Sequence, residues 1–431
     1  MKKTLFFLAI LLLPALTIAQ DDEPQFGIKF HGFVKTDMIY DSRQSVAVRE
    51  GHFHLYPLPE FLDANGEDIN GQPYFNILSI QTRLKGVITG PDVLGAKTSA
   101  LIEGAFFGHT DADVNGFRLR HAFAKMRWPS TELLVGQYWH AMFVTDCFPG
   151  TVSFNTGAPF QPFSRNPQVR LTQYFGDFNI HLAAMSQRDF ADGGPQGANS
   201  VYLRNAVVPE LNLGLQYKTD NFLIGANASF KQLLPTRSIQ TATPEGTQIY
   251  KVNETVTGLS AMAYMKVTLP AITIKLEGVM GQTTQGLTMI GGYVREAQFS
   301  DYDVNDPASL INYIPVNTLS SWMDIHTNGK KWQLGLFAGF SQNQGISEKM
   351  IEGNEYDFYA RGLNPLGSSI DYLYRIAPRL IYNVGKMRFA AELEYNNVAY
   401  GEPEKITDEA IVQDAEDVTS LRAIAAVYYF F

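Results

Sequence analysis

The side chains best spaced to act together are basic. Arg83 and Lys85 lie two residues apart, as do Arg118 and Arg120, while Arg375 and Arg379 lie four apart. Even spacing puts such residues on one face of a β-strand, because successive side chains point to opposite faces. Arg170, Arg388 and Arg422 fall on the same polar phase of their own segments, where acidic residues are fewer: Asp37, Glu103, Glu277, Glu392 and Glu394. A ladder of guanidinium groups with too few carboxylates attracts anions, and each arginine can hold a carboxylate through two parallel hydrogen bonds. The competing reading is that these arginines pair with the same glutamates and brace the wall that carries them.

Other chemistry has less to build on. Eight histidines, His31, His52, His54, His109, His121, His140, His181 and His326, offer bases for an activated nucleophile. Neither G-x-S-x-G nor H-E-x-x-H occurs. His52 and His54 sit in a long connection and read as solvated side chains rather than metal ligands. Asp301-x-Asp303-x-Asn305 opens like a calcium loop, but Asp306 stands where the turn glycine belongs and Asn312 where the bidentate glutamate belongs. Cys147 is the single cysteine, so a disulfide framework and a multi-cysteine metal centre are excluded. No catalytic residue, metal or cofactor is assigned.

The elements that must carry the basic residues follow from a period of two. From Phe26 the even positions read Phe26, Ile28, Phe30, Gly32, Val34, Thr36, Met38, Tyr40, while Lys29, His31, Lys35, Asp37 and Asp41 occupy odd ones. The same alternation sets Leu78, Ile80, Thr82 and Leu84 against Gln81, Arg83 and Lys85, and Leu421, Ala423, Ala425, Val427 and Tyr429 against Arg422. Around His121 the phase is ambiguous, as a β-bulge would make it. The first run is longer than a soluble strand of ~5–6 residues and suits a tilted membrane-crossing strand. The chain is 45% hydrophobic, yet beyond residue 19 it has no apolar run near the ~20 residues of a helical span. A bundle of membrane helices is therefore excluded.

Connection lengths alternate. Short turns at 89–95, 129–131, 176–177, 219–221, 270–271, 327–330 and 383–386 are separated by longer polar connections near 42–71, 109–115, 145–167, 189–209, 232–251, 284–315, 343–369 and 400–416. Antiparallel strands that cross a membrane emerge on opposite sides in turn, which puts short turns at the periplasm and long loops outside. The reading is all-β: a transmembrane, antiparallel up-and-down β-barrel of about sixteen strands over residues 20–431.

The ends fit that topology. Lys2 and Lys3, the apolar Leu5–Leu13 and the small residues Thr17-Ile18-Ala19 read as a cleaved export signal over residues 1–19. Its removal leaves 32 basic against 43 acidic side chains, which argues against nucleic acid as a partner. The expected location is the outer membrane of a Gram-negative bacterium, with lipid around the barrel. The terminal Tyr428-Tyr429-Phe430-Phe431 resembles the signal by which such barrels engage their assembly machinery. The 145–167 connection differs from the other loops: Phe148, Phe154, Phe160 and Phe163 are spaced among Pro149, Pro159 and Pro162. Those rings need burial, either inside the barrel as a constriction loop or against a neighbouring subunit.

Together, His31-Gly32-Phe33-Val34-Lys35-Thr36-Asp37, Gly116-Phe117-Arg118-Leu119-Arg120-His121-Ala122-Phe123, Leu134-Val135-Gly136-Gln137-Tyr138-Trp139 and Arg165-Asn166-Pro167-Gln168-Val169-Arg170 resemble outer-membrane porins of the DcaP-like, dicarboxylate-channel type. The resemblance implies a sixteen-stranded homotrimeric barrel that passes small anions by diffusion, with Arg118, Arg120 and Arg170 lining the pore. The few residues between signal and first strand leave no room for the periplasmic coiled coil of some relatives. Two other classes stay open: a barrel enzyme of the lipase or esterase type, and a structural barrel with no open pore. Gly214, Gly225, Gly335 and Gly339 on the inner face argue for space, or equally for close packing.

Overall fold

The computed structural model describes residues 26–243, 246–297 and 311–431. The export signal expected over residues 1–19 and the Asp301–Asn305 motif lie outside the described residues. Sixteen antiparallel strands close into one barrel: β1 Gly27–Asp41, β2 Tyr74–Leu78 continued by Arg83–Val93, β3 Ala96–Ala105, β4 Arg118–Arg127, β5 Thr131–Trp139, β6 Arg165–Phe175, β7 Phe178–Met185, β8 Glu210–Lys218, β9 Phe222–Leu233, β10 Val256–Thr268, β11 Ile272–Gln282, β12 Ile311–Thr327, β13 Trp332–Ile346, β14 Ser369–Val384, β15 Met387–Gly401 and β16 Glu416–Phe430. Each pairs with the next, and β1 closes on β16 from Phe33↔Phe430 to Asp41↔Arg422. Among the described residues no helix is long and apolar enough to cross a membrane.

The period of two is physically inverted relative to a soluble protein. Ile28, Phe30, Val34, Leu182, Leu211, Leu213, Leu334, Phe389 and Leu393 point outward and are exposed, while Asp37, Asp324, Glu394, Arg375 and Arg422 point inward and are buried. A closed barrel is one of the two backbone arrangements that satisfy every ladder group in lipid, and an apolar outer band is what membrane barrels present to it.

Two features depart from simple alternation. In β2 the phase flips: Phe75 and Ile77 face outward, but Leu78 and Ile80, expected on the lipid face, are 7% and 2% exposed. The strand breaks at 79–82, and its register to β1 slips by one residue, from Asp37↔Leu78 to Phe33↔Arg83. One residue of slip turns every side chain to the opposite face. In β4 the partner pairing runs Glu103↔His121 and then Gly104↔Leu119, so Arg120 is an extra, bulged residue. Arg120 and His121 are consequently both buried inside.

The long connections carry structure of their own. Ser45–Val48 pairs with Phe53–Pro57, and Ser238–Thr243 with Gly246–Lys251. Gly291–Ala297 bridges the outer end of β12 and Glu355–Arg361, so two loops expected to be separate polar connections form one small sheet above the barrel.

Candidate functional site

The bulge at Arg120 begins a convergence of basic side chains on the ring of Phe107. The guanidinium carbons of Arg49, Arg118, Arg120 and Arg165 lie 4.8, 5.7, 5.4 and 5.8 Å from the centre of that ring, which is itself fully buried. Arg118 and Arg120 come from β4, Arg165 from the start of β6, and Arg83 approaches from β2. Arg49 comes from the first long loop. Three consecutive residues there, Arg49, Glu50 and Gly51, take positive φ values of 60°, 53° and 84°, a conformation costly for residues with a side chain. The turn is anchored where the Glu50 N–H donates to Asp111 at 2.9 Å, and it drives Arg49 inward to 1% exposure.

Two carboxylates reach this group. Glu103 accepts from Arg120 at 2.6 Å and lies 3.9 Å from Arg83; Asp189 accepts from Arg165 at 2.6 Å and from Arg118. Arg49 has no ion-pair partner among the described residues, and its Nε and Nη1 donate to nothing. The Nε of Arg83 and the Nη1 atoms of Arg120 and Arg165 are likewise buried without partners. Buried charge is costly unless paired, and here five guanidinium groups share two contacting carboxylates, with Asp111 and Asp113 acting on Arg49 from further away.

A second group of inward arginines is more fully paired. Arg379 of β14 grips Asp324 of β12 at 2.7 and 3.0 Å, and Arg422 holds Asp41 at 3.1 Å. Arg375 donates to Asn396 at 2.6 Å and to the Leu55 carbonyl at 2.6 Å, with Glu394 3.7 Å away.

Between these groups the segment 140–164 crosses the barrel interior. Glu392 accepts the N–H groups of Val152 and Ser153 at 2.7 and 2.9 Å. Lys35 and Lys275 donate to the Val152 and Phe148 carbonyls at 2.9 and 2.8 Å, and Ser320 to Phe160 at 2.9 Å. The segment is thus tied to β1, β11, β12 and β15, with Phe154, Phe160 and Phe163 buried.

No family model matches the sequence, and no curated protein matches it. Solved structures do. The outer membrane channel DcaP of Acinetobacter baumannii superposes with a TM-score of 0.65 at 14% identity, over 94% of this chain and 97% of that one. The protein has a DcaP-like porin fold. The anion-selective porin from Comamonas acidovorans aligns with a TM-score of 0.53 at 10% identity, over 94% of this chain and all of the other. OmpT, an outer membrane protein of Vibrio cholerae, gives 0.54 at 9% identity over 95% and 99%.

Within this porin fold the basic residues singled out by spacing separate into groups. Arg83, Arg118 and Arg120 belong to the cluster whose guanidinium groups share carboxylates, Arg83 and Arg120 on Glu103 and Arg118 with Arg165 on Asp189; Arg375, Arg379 and Arg422 belong to the more fully paired one, as the bracing alternative has it. Lys85 is half-buried directly across from Glu103 in the β2–β3 register. Arg388 lies near the short turns, donating to Asn383 at 2.8 Å, and shares with Arg83 and Arg120 a cavity of about 320 Å³. Arg170 lies elsewhere, in a separate cavity of about 280 Å³.

Spacing alone gives no site role to Arg49, Arg165, Asp41, Asp189 or Asp324, which the structure brings to these groups. Asp41 and Asp324 sit on inward strand positions, a phase signal available in the sequence. Arg49 and Asp189 arrive from loops, where no period exists. The glycines do not leave open space: a Cβ at Gly335 would meet Arg379 at 2.4 Å, and one at Gly339 would meet Phe160 at 2.5 Å. His52 and His54 are buried rather than solvated, His52 stacking on Phe154 at 4.5 Å.

Proposed function

We propose that the protein is an outer-membrane porin through which small hydrophilic solutes diffuse passively, with a preference for anions such as dicarboxylates. The observation that carries this reading is the group Arg49, Arg83, Arg118, Arg120 and Arg165, whose buried donors outnumber the two carboxylates that reach them. In a confined, low-dielectric passage a few uncompensated charges raise the local anion concentration and the entry rate. The cavity that Arg83, Arg120 and Arg388 share continues this positive field toward the periplasmic turns. The loop expected over 145–167, of which 165–167 belong to β6 and which runs from residue 140 to 164 between the strands, acts as the constriction, because its attachments to the barrel wall narrow the remaining passage.

The same reading makes the chain a Gram-negative outer-membrane protein, exported by the signal at residues 1–19 and engaged by the assembly machinery through Phe431. It is a homotrimer whose outer band contacts lipid, in line with the trimer form recorded for the Vibrio cholerae OmpT barrel.

Planar-bilayer recording of the purified protein tests the proposal. Stepwise conductance is expected, with a reversal potential in a KCl gradient of the sign that favours chloride over potassium. The preference is expected to shrink as salt rises from about 0.1 M to 1 M, since the screening length falls from about 10 to 3 Å. A barrel that inserts but carries no current would return the structural reading of a filled lumen.

A further inference from the structure

Two cavities adjoin the crossing segment, with aromatic rings at their common wall. Phe143 stacks on Trp139 with ring centres 3.8 Å apart and planes 10° from parallel, and it lies 5.6 Å from Phe148. Phe143 and Thr145 line both cavities; Trp139 and Phe148 line only the one that holds Arg83, Arg120 and Arg388. On the other side of this partition Arg170 faces a space bordered by Lys125, Lys218, His181 and Asn179.

We infer that this second space is an independent anion site, centred on Arg170 and entered from the periplasmic side, so that the lumen below the constriction has two basic vestibules rather than one. Arg170 donates only to neutral groups, the Gln168 side chain and the Trp139 carbonyl, each at 2.9 Å, while Glu132 acts on it from across the same cavity. It has no carboxylate in ion-pair contact among the described residues. The neighbouring lysines are occupied, Lys125 by Glu132 at 3.0 Å and Lys218 by Asp146 at 2.9 Å. His181 meets Asn212 at 2.9 Å. The uncompensated charge of the space is therefore that of Arg170, whose planar fork suits a carboxylate or another oxyanion. The inference rests on the porin reading for its biological use but not for its existence.

Thiol labelling tests it in the full-length protein, with the buried Cys147 as unreactive background. Asn179→Cys places a thiol in the Arg170 vestibule and Thr151→Cys places one in the other. Each is reacted with a sulfonate-bearing and a trimethylammonium-bearing methanethiosulfonate of similar size. Adding Arg170→Gln is expected to lower the sulfonate-to-ammonium rate ratio at Asn179→Cys about fivefold, the scale of one nearby charge in a wet cavity, and to leave Thr151→Cys unchanged. Arg388→Gln is expected to do the reverse, and Arg170→Lys to preserve the ratio. Equal loss at both thiols after Arg170→Gln would mean one shared lumen and overturn the inference; no loss at Asn179→Cys would overturn the site. If no current is seen in bilayers while this labelling pattern persists, the channel reading alone falls.

Discussion

Arg379 reaches Asp324 across an intervening strand, and Gly335 is what lets it pass. The two partners sit on β14 and β12, and Gly335 on β13 pairs directly with Arg379. The guanidinium lies over the glycine, so a Cβ there would fall 2.4 Å from its central carbon. The bidentate pair is buried at both ends, and removing one partner of such a pair leaves an uncompensated charge worth about 3–5 kcal/mol. Asp324→Ala is therefore expected to destabilise the barrel by that amount, and Gly335→Ala to destabilise it by displacing the same guanidinium. Equilibrium unfolding of each variant in lipid vesicles checks both, and unchanged midpoints would contradict the assignment.

Arg49 is expected to behave oppositely. It is buried without a carboxylate partner, so Arg49→Gln removes a desolvated charge rather than breaking a pair. Stability should hold or rise, while the chloride preference falls, because one of the five converging charges is gone. Reversal potentials and unfolding midpoints measured on the same preparation separate the two effects. A large loss of stability would show that Arg49 is a strut.

Glu392 anchors the crossing segment by accepting two consecutive N–H groups. Glu392→Ala leaves both donors unmatched, at about 1.5–3 kcal/mol for each hydrogen bond to a charged group. The segment should loosen, giving larger and noisier single-channel currents and faster proteolysis near residues 148–153. Glu392→Gln keeps one acceptor oxygen and should fall between. Currents identical to wild type in Glu392→Ala would sever the link between this anchor and the width of the passage.

The seam between first and last strands depends on Gly32. Its N–H donates to the Phe431 carbonyl at 3.3 Å and its carbonyl accepts from the Phe431 N–H at 3.2 Å. A Cβ on Gly32 would lie 2.2 Å from the Arg83 carbonyl and 2.8 Å from the Phe431 ring. Gly32→Val is expected to open the seam and lower the yield of folded barrel in outer-membrane fractions several-fold. Heat-modifiable mobility on a gel, which distinguishes closed from open barrels, measures it.

The alternation of apolar and polar residues, with short and long connections in turn, was enough to determine a closed sheet of sixteen strands, since a period of two assigns each side chain to a face and a membrane admits no free edge. That same period could name the inward arginines but not their partners. Arg118 and Arg120 are inward arginines like Arg375 and Arg379, and all four meet a carboxylate, but Arg118 and Arg120 share theirs with Arg165 and Arg83 while Arg379 has Asp324 to itself among the arginines. The difference was decided by register, by the bulge that turns Arg120 and His121 inward together, and by loop residues such as Arg49 and Asp189 that carry no periodic signal. Ion pairing acts over a few ångströms through space, and distance along the chain does not record it.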